Sequence, residues 1–166
     1  MKRYIEVVDN KIHLYKADFP ISPFIKLKPF TLNIDNIMLV AWGVRMLGDD
    51  EEFSYILVDK HYNIFPISYY YLRNNDKFLD DIETYFNIPD YKHLTSKLNI
   101  DAKQTSVIIY PEKLFGKPLY KENFSGVLPF LHSLARSFMF IKLGKGILTD
   151  ECKQYLQKHP PPLAGV

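Results

Sequence analysis

The side chains that bind metals or attack carbon are few and scattered in this sequence. His13, His61, His93, His132 and His159 are far apart, and none lies three or four residues from another His or Cys, the spacing that puts two ligands on one helix face. Asp59 and His61 are two apart and so share one side of an extended strand, but they fall where a hairpin tip is predicted. There, turn formation is the simpler role. With Tyr62 beside them, they form the one catalytic alternative the residues suggest, an enzyme site assembled from scattered groups. No metal site and no cofactor is expected.

Phosphate and acyl chemistry lack their usual residues. The glycine-containing segment "KLGKGI", Lys142 to Ile147, lacks the four-residue spacer before Gly-Lys-Ser/Thr and follows a predicted helix, whose carbonyl end repels phosphate. Gly144 as a helix C-cap, with Lys142 and Lys145 near the negative end of the helix dipole, accounts for the same residues. There is no Gly-x-Ser-x-Gly. The single cysteine, Cys152, falls on the inner face of a predicted helix, where it acts as a small hydrophobe.

Two charged features suggest binding instead. Asp49, Asp50, Glu51 and Glu52 form an acidic run without the alternating ligands and central glycine of a calcium loop, and are expected at a solvated hairpin tip able to meet a basic partner. Lysines dominate the C-terminal third, where Ala102 to Val166 holds nine basic against four acidic residues. Lys113, Lys117 and Lys121, interleaved with Tyr110, Phe115, Tyr120 and Phe124, suggest a grip on single-stranded nucleic acid. A solvated lysine surface around buried aromatics is the competing account.

These residues need elements to hold them. With 47% hydrophobic and 24% charged residues, the composition is that of a globular protein, and 166 residues suffice for one domain with its own core. Arg3 to Val8 and Lys11 to Lys16 alternate polar and apolar residues around "DN", a hairpin signal. "ADFPISPF" is a loop, and Phe24 to Phe30 a strand placed at an edge by Pro29. Asn36 to Leu47 is continuously apolar, as a strand covered on both faces would be. Glu52 to Val58 and Asn63 to Ile67 form a second hairpin, which makes six strands before residue 70.

The period then changes. Phe78, Leu79, Ile82, Tyr85 and Phe86 make one face of a helix over residues 76–87, after an N-cap at Asn74 or Asn75 and ending near Asn87. A short helical turn is predicted at Tyr91 to Leu98, a strand at Ser106 to Pro111, and helices over Val127 to Leu143 and from Thr149 to the prolines at 160–162. Residues 160–166 form an extended tail.

The expected fold is therefore α+β: an antiparallel sheet or partly open barrel from about residues 3–70, capped by the helix over 76–87 and followed by a strand and two C-terminal helices. The chain is expected to be one domain, divisible into a β-rich part over 1–89 and a mainly helical part over 90–159. The order of strands then helix in residues 1–89 resembles pleckstrin-homology-like barrels, in which a terminal helix plugs an open end. Where such barrels bind phosphoinositides, basic residues cluster in the first strand loop, which here is "VVDNK".

Of the three consecutive tyrosines 69–71, Tyr69 and Tyr71 continue the strand face of Phe65 and Ile67, and Tyr70 points to the other side, available for an outward contact. The longest apolar run is half the length that crosses a bilayer, the N-terminus lacks the apolar core of a signal peptide, and a lone cysteine suits a reducing compartment. The expectation is a small cytoplasmic, non-catalytic protein that binds another protein, for instance an immunity protein that neutralises a bacterial toxin. Asp49, Asp50, Glu51, Glu52 and Tyr70 are its candidate contacts; nucleic-acid binding through Lys113, Lys117 and Lys121 is the alternative.

Overall fold

A computed structural model describes residues 3–15, 30–47, 50–68, 72–73, 75–88, 106–125 and 144–159. The predicted turn at Tyr91 to Leu98, the helix over Val127 to Leu143, the loop "ADFPISPF" and the tail lie outside these residues, as do Asp49 and Tyr70. The described elements are β1 (Arg3–Val8), β2 (Lys11–Tyr15), β3 (Phe30–Asn33), β4 (Ile37–Leu47), β5 (Asp50–Asp59), β6 (Ile64–Ser68), β7 (Leu72–Arg73), α1 (Asn75–Phe86), β8 (Ser106–Tyr110), α2 (Glu122–Ser125), α3 (Gly144–Ile147) and α4 (Asp150–Lys158). Six described strands precede residue 70 and the class is α+β; β3 begins at Phe30, where the strand predicted over Phe24 to Phe30 ends, and residues 24–29 lie outside the described residues.

The strands form two open sheets in the orders β3-β2-β1-β7 and β6-β5-β4-β8. Each is built on a three-strand antiparallel meander, with β7 added parallel to β1 and β8 added antiparallel to β4. Local chemistry explains the first turn: Asp9 and Asn10 both have positive φ, 49° and 57°, which closes the two-residue hairpin with the twist its strands need. The chain leaves the second sheet at Ser68 and rejoins the first at Leu72. The tyrosines 69–71 lie outside the described residues.

The second sheet is the shared layer. On β4 and β5, Val40, Trp42, Tyr55 and Leu57 point into a core with Ile5 and Ile12 of the first sheet and Phe78, Ile82 and Phe86 of α1. Their neighbours Leu39, Ala41, Ile56 and Val58 point the other way, into a core completed by Leu119, Leu148, Cys152 and Leu156. Two buried faces explain why β4 has no polar side in the sequence. A bulge between Ile37 and Leu39 shifts the register by one residue and sends Ile37 to the α1 side.

α1 ends as its sequence predicts. Asn87 takes φ 51°, Ile88 N–H donates to the Glu83 carbonyl at 2.8 Å, and Ile88 is buried, a left-handed C-terminal cap closed by an apolar contact. Asn75 is the first residue of the helix. The predicted apolar face needs one correction, because Tyr85 is 42% exposed. It follows Ile82 by three positions and falls at the edge of the buried stripe, where its hydroxyl reaches water and Asp35.

Candidate functional site

The Asp59 to Tyr62 group is a turn clamp. Asp59, buried at the end of β5, accepts through Oδ1 from the backbone N–H groups of His61 at 2.8 Å and Asn63 at 2.9 Å, and through Oδ2 from Asn63 Nδ2 at 2.8 Å. These bonds hold Tyr62 at φ 65° in the β5–β6 connection. His61 is exposed and lends the clamp its backbone N–H. The scattered-site alternative thus has its carboxylate committed to backbone donors.

Cys152 is equally committed. Thr149 caps α4 by accepting from Cys152 N–H, and its hydroxyl lies 3.0 Å from Cys152 Sγ. Burial pushes the thiol above its ordinary pKa, and the Thr149 hydrogen bond opposes that with a smaller effect, so the nucleophilic thiolate is disfavoured. Residues 144–147 of "KLGKGI" form the single turn α3, and Gly144 begins it. Gly144 is buried against Tyr62, while Lys145 Nζ stands 5.3 Å from the centre of the Tyr62 ring. The need for glycine here comes from close approach to another strand's turn.

The charged candidates separate. Asp50, Glu51 and Glu52 are the first residues of β5, paired with Leu47, Met46 and Arg45 of β4, so this part of the acidic run belongs to the ladder and not to a loop. Lys113 is exposed, and Lys117 pairs with Glu151 at 2.9 Å. Lys121 is half-buried and donates its backbone N–H to Ile147. Nearby, Lys153 pairs with Asp150, which holds the Lys153 ammonium above its usual pKa and the Asp150 carboxyl below its own. Acids of α4 therefore stand among the lysines. Among the described residues, no group of three His, Cys, Asp or Glu side chains is placed to hold a metal. No described helix is long and apolar enough to cross a membrane.

A different surface brings ordered side chains together. The Tyr85 hydroxyl donates to Asp35 Oδ1, and its ring meets Phe86 edge-on, with centroids 4.9 Å apart. Phe86 in turn packs on half-buried Tyr110 at 4.8 Å. Tyr110 also raises the pKa of Tyr155, after the larger effect of burial, and Tyr155 stacks on exposed His159 at 4.2 Å. One level in, Tyr55 donates to Glu83 Oε1 at 2.6 Å while its ring lies 5.6 Å from Trp42. Side chains from α1 and β8 thus make a partly exposed tyrosine band, while Tyr155 of α4 packs on the core across the sheet. Aromatic and tyrosyl surface of this kind is enriched in protein interfaces.

Searches of protein families, curated proteins and solved structures give no match to this chain.

Tyr85 is the residue that the sequence pattern hides, because a tyrosine at the edge of an apolar stripe counts equally well as core. Asp35, fifty positions away, carries no local signal that it will hold that hydroxyl. The bond to Asp35, then burial, raise the Tyr85 phenol from 10.0 to about 12. A raised folded-state pKa means the contribution is fully present below pH 10 and is lost as pH climbs through about 12. Tyr85→Phe is expected to lower stability by about 0.5 kcal/mol at neutral pH, a small value because the pair is exposed. In urea unfolding, the difference between variant and parent should vanish above pH 12.

Proposed function

We propose that this chain is a small non-catalytic protein-binding module that docks its partner on the tyrosine band. The observation that carries this reading is Tyr85, a large aromatic side chain that is 42% exposed yet held by Asp35 and Phe86. A ring fixed before contact loses little rotamer entropy on binding, and tyrosines so placed serve as anchors. The candidate catalytic groups add support, since Asp59 and Cys152 are spent on a turn and a core.

A photo-crosslinking residue in place of Thr84, exposed next to Tyr85, tests the reading in cells that naturally produce the protein. A discrete protein adduct is expected from position 84. A crosslinker replacing Gln154, on the solvent side of α4, should give little of it. Tyr85→Ala should weaken the captured complex by about 2 kcal/mol, roughly thirtyfold. Absence of an adduct from both positions would overturn the reading. The narrower form of the proposal, toxin neutralisation, predicts that the chain rescues growth when co-produced with a toxic product of a neighbouring gene, and that Tyr85→Ala does so less well.

A further inference from the structure

Three lysines from separate parts of the chain converge on Tyr62, which packs with the second core, across the sheet from Phe86 and Tyr110. Lys145 Nζ stands 5.3 Å from the centre of the Tyr62 ring. Lys121 is brought in by the bond from its backbone N–H to Ile147, and Lys153 lies in the first turn of α4. Lys153 is held above its usual pKa mainly by its ion pair with Asp150, and the Tyr62 phenol is close enough to add to the effect. Asp150 is exposed and could turn to water, yet its carboxyl is held below the usual range by Lys153 first and by Lys121 next. It thus sits as an anion between two ammonium groups. Among the described residues it is the only carboxylate paired with any of the three lysines, since Glu151 is matched by Lys117.

Tyr62 is kept in this place under strain. Its φ of 65° is uncommon for a bulky side chain, and it is braced by the Asp59 clamp on one side and by the close approach of Gly144 on the other. We propose that Tyr62, Lys121, Lys145 and Lys153 form a binding site for a single phosphate group, free or carried by a small phosphomonoester, and that the Asp150 carboxylate marks the position the phosphate takes in competition with it. Three ammonium groups against one carboxylate leave about two positive charges, close to the charge that a phosphomonoester carries at neutral pH. Lysine ammonium groups act on phosphate as mobile point charges, and the phenol adds an O–H donor. This site is separate from the tyrosine band and does not depend on the protein-docking reading.

The full chain is titrated with inorganic phosphate and, separately, with glycerol phosphate, at an ionic strength held constant with sodium chloride, and followed by proton–nitrogen correlation NMR. Saturable shifts are expected at the Tyr62, Lys121 and Lys153 amides, with a Kd of about 1 mM. Tighter binding of the ester would identify a phosphomonoester as the ligand, and tighter binding of inorganic phosphate the free ion. Lys145→Ala and Lys153→Ala should each weaken binding about tenfold and Tyr62→Phe about threefold, whereas Asp150→Asn, which removes the competing carboxylate, should tighten it about threefold. Lys145 is exposed, so its variant serves even where the half-buried Lys153 proves necessary for folding. Lys158→Ala removes the same charge from the far end of α4 and should leave the Kd within about twofold of the parent. Shifts that do not saturate by about 20 mM, or equal losses from Lys158→Ala and Lys145→Ala, would overturn the site in favour of a diffuse positive surface.

Discussion

Gly144→Ala is expected to destabilise the protein by about 3 kcal/mol or more, a fall of about 10 °C in Tm for a chain of this length. An added Cβ would lie 1.8 Å from the Tyr62 carbonyl oxygen and 2.8 Å from its carbon, so backbone has to move. Neither side can give way easily. Tyr62 N–H donates to the Asp59 carbonyl at 3.0 Å inside the clamped turn. On the other side, Leu148 N–H donates to Gly144, Lys121 N–H to Ile147, and Thr149 N–H to Leu119, at 2.9, 3.0 and 3.1 Å. Gly146 is the control in the same short helix, because nothing lies within 4 Å of a Cβ there and its alanine variant should melt close to the parent. Equal melting of the two variants by calorimetry would show that the α3–Tyr62 contact is looser than described.

Asp59→Ala is expected to cost about 3 kcal/mol, because it strips the acceptor from two backbone N–H groups and one side-chain amide around a buried site. Asp59→Asn should fall between alanine and the parent. One carbonyl oxygen can still serve His61 and Asn63 N–H, but the new NH₂ meets the Asn63 amide. His61→Ala should change stability by less than about 0.5 kcal/mol, since the side chain is exposed and the clamp uses its backbone. Chemical denaturation of the three variants gives the ranking. Asp59→Ala and Gly144→Ala disturb the same turn from opposite sides, so their combined effect should be less than the sum.

What the sequence discloses and what it hides divide along a physical line. Features decided within a few residues were legible: the Asp9-Asn10 turn, the double-sided apolar strand at Ile37–Leu47, the α1 stop at Asn87 and the Thr149 cap. Features decided by distant partners were not. β8 was visible as a strand, but its place beside β4 depends on a pairing across some sixty intervening residues. The division of the strands into two sheets, and the parallel pairing of β7 with β1, are choices among partners that alternation alone does not rank. Gly144 looked like a helix end because local glycine chemistry is the same whether the reason is a cap or a neighbour's carbonyl. At the candidate surface, the acidic run at 49–52 drew attention by its density. The Tyr85–Asp35 pair, made by tertiary approach, left no trace in spacing.

The two-faced sheet constrains how this protein can be made and cut. A ribosome that has released only the first ninety residues has released Leu39, Ala41, Ile56, Val58 and Ile64 without Leu119, Leu148, Cys152 and Leu156 to cover them, and β4 without β8 on its free edge. Such a nascent chain carries an apolar plane with an open strand beside it, the combination that recruits chaperones or other copies of itself. Loss of the C-terminal segment after a cut between α1 and β8 would recreate that plane in the finished molecule, so that segment serves as the cover of the N-terminal one.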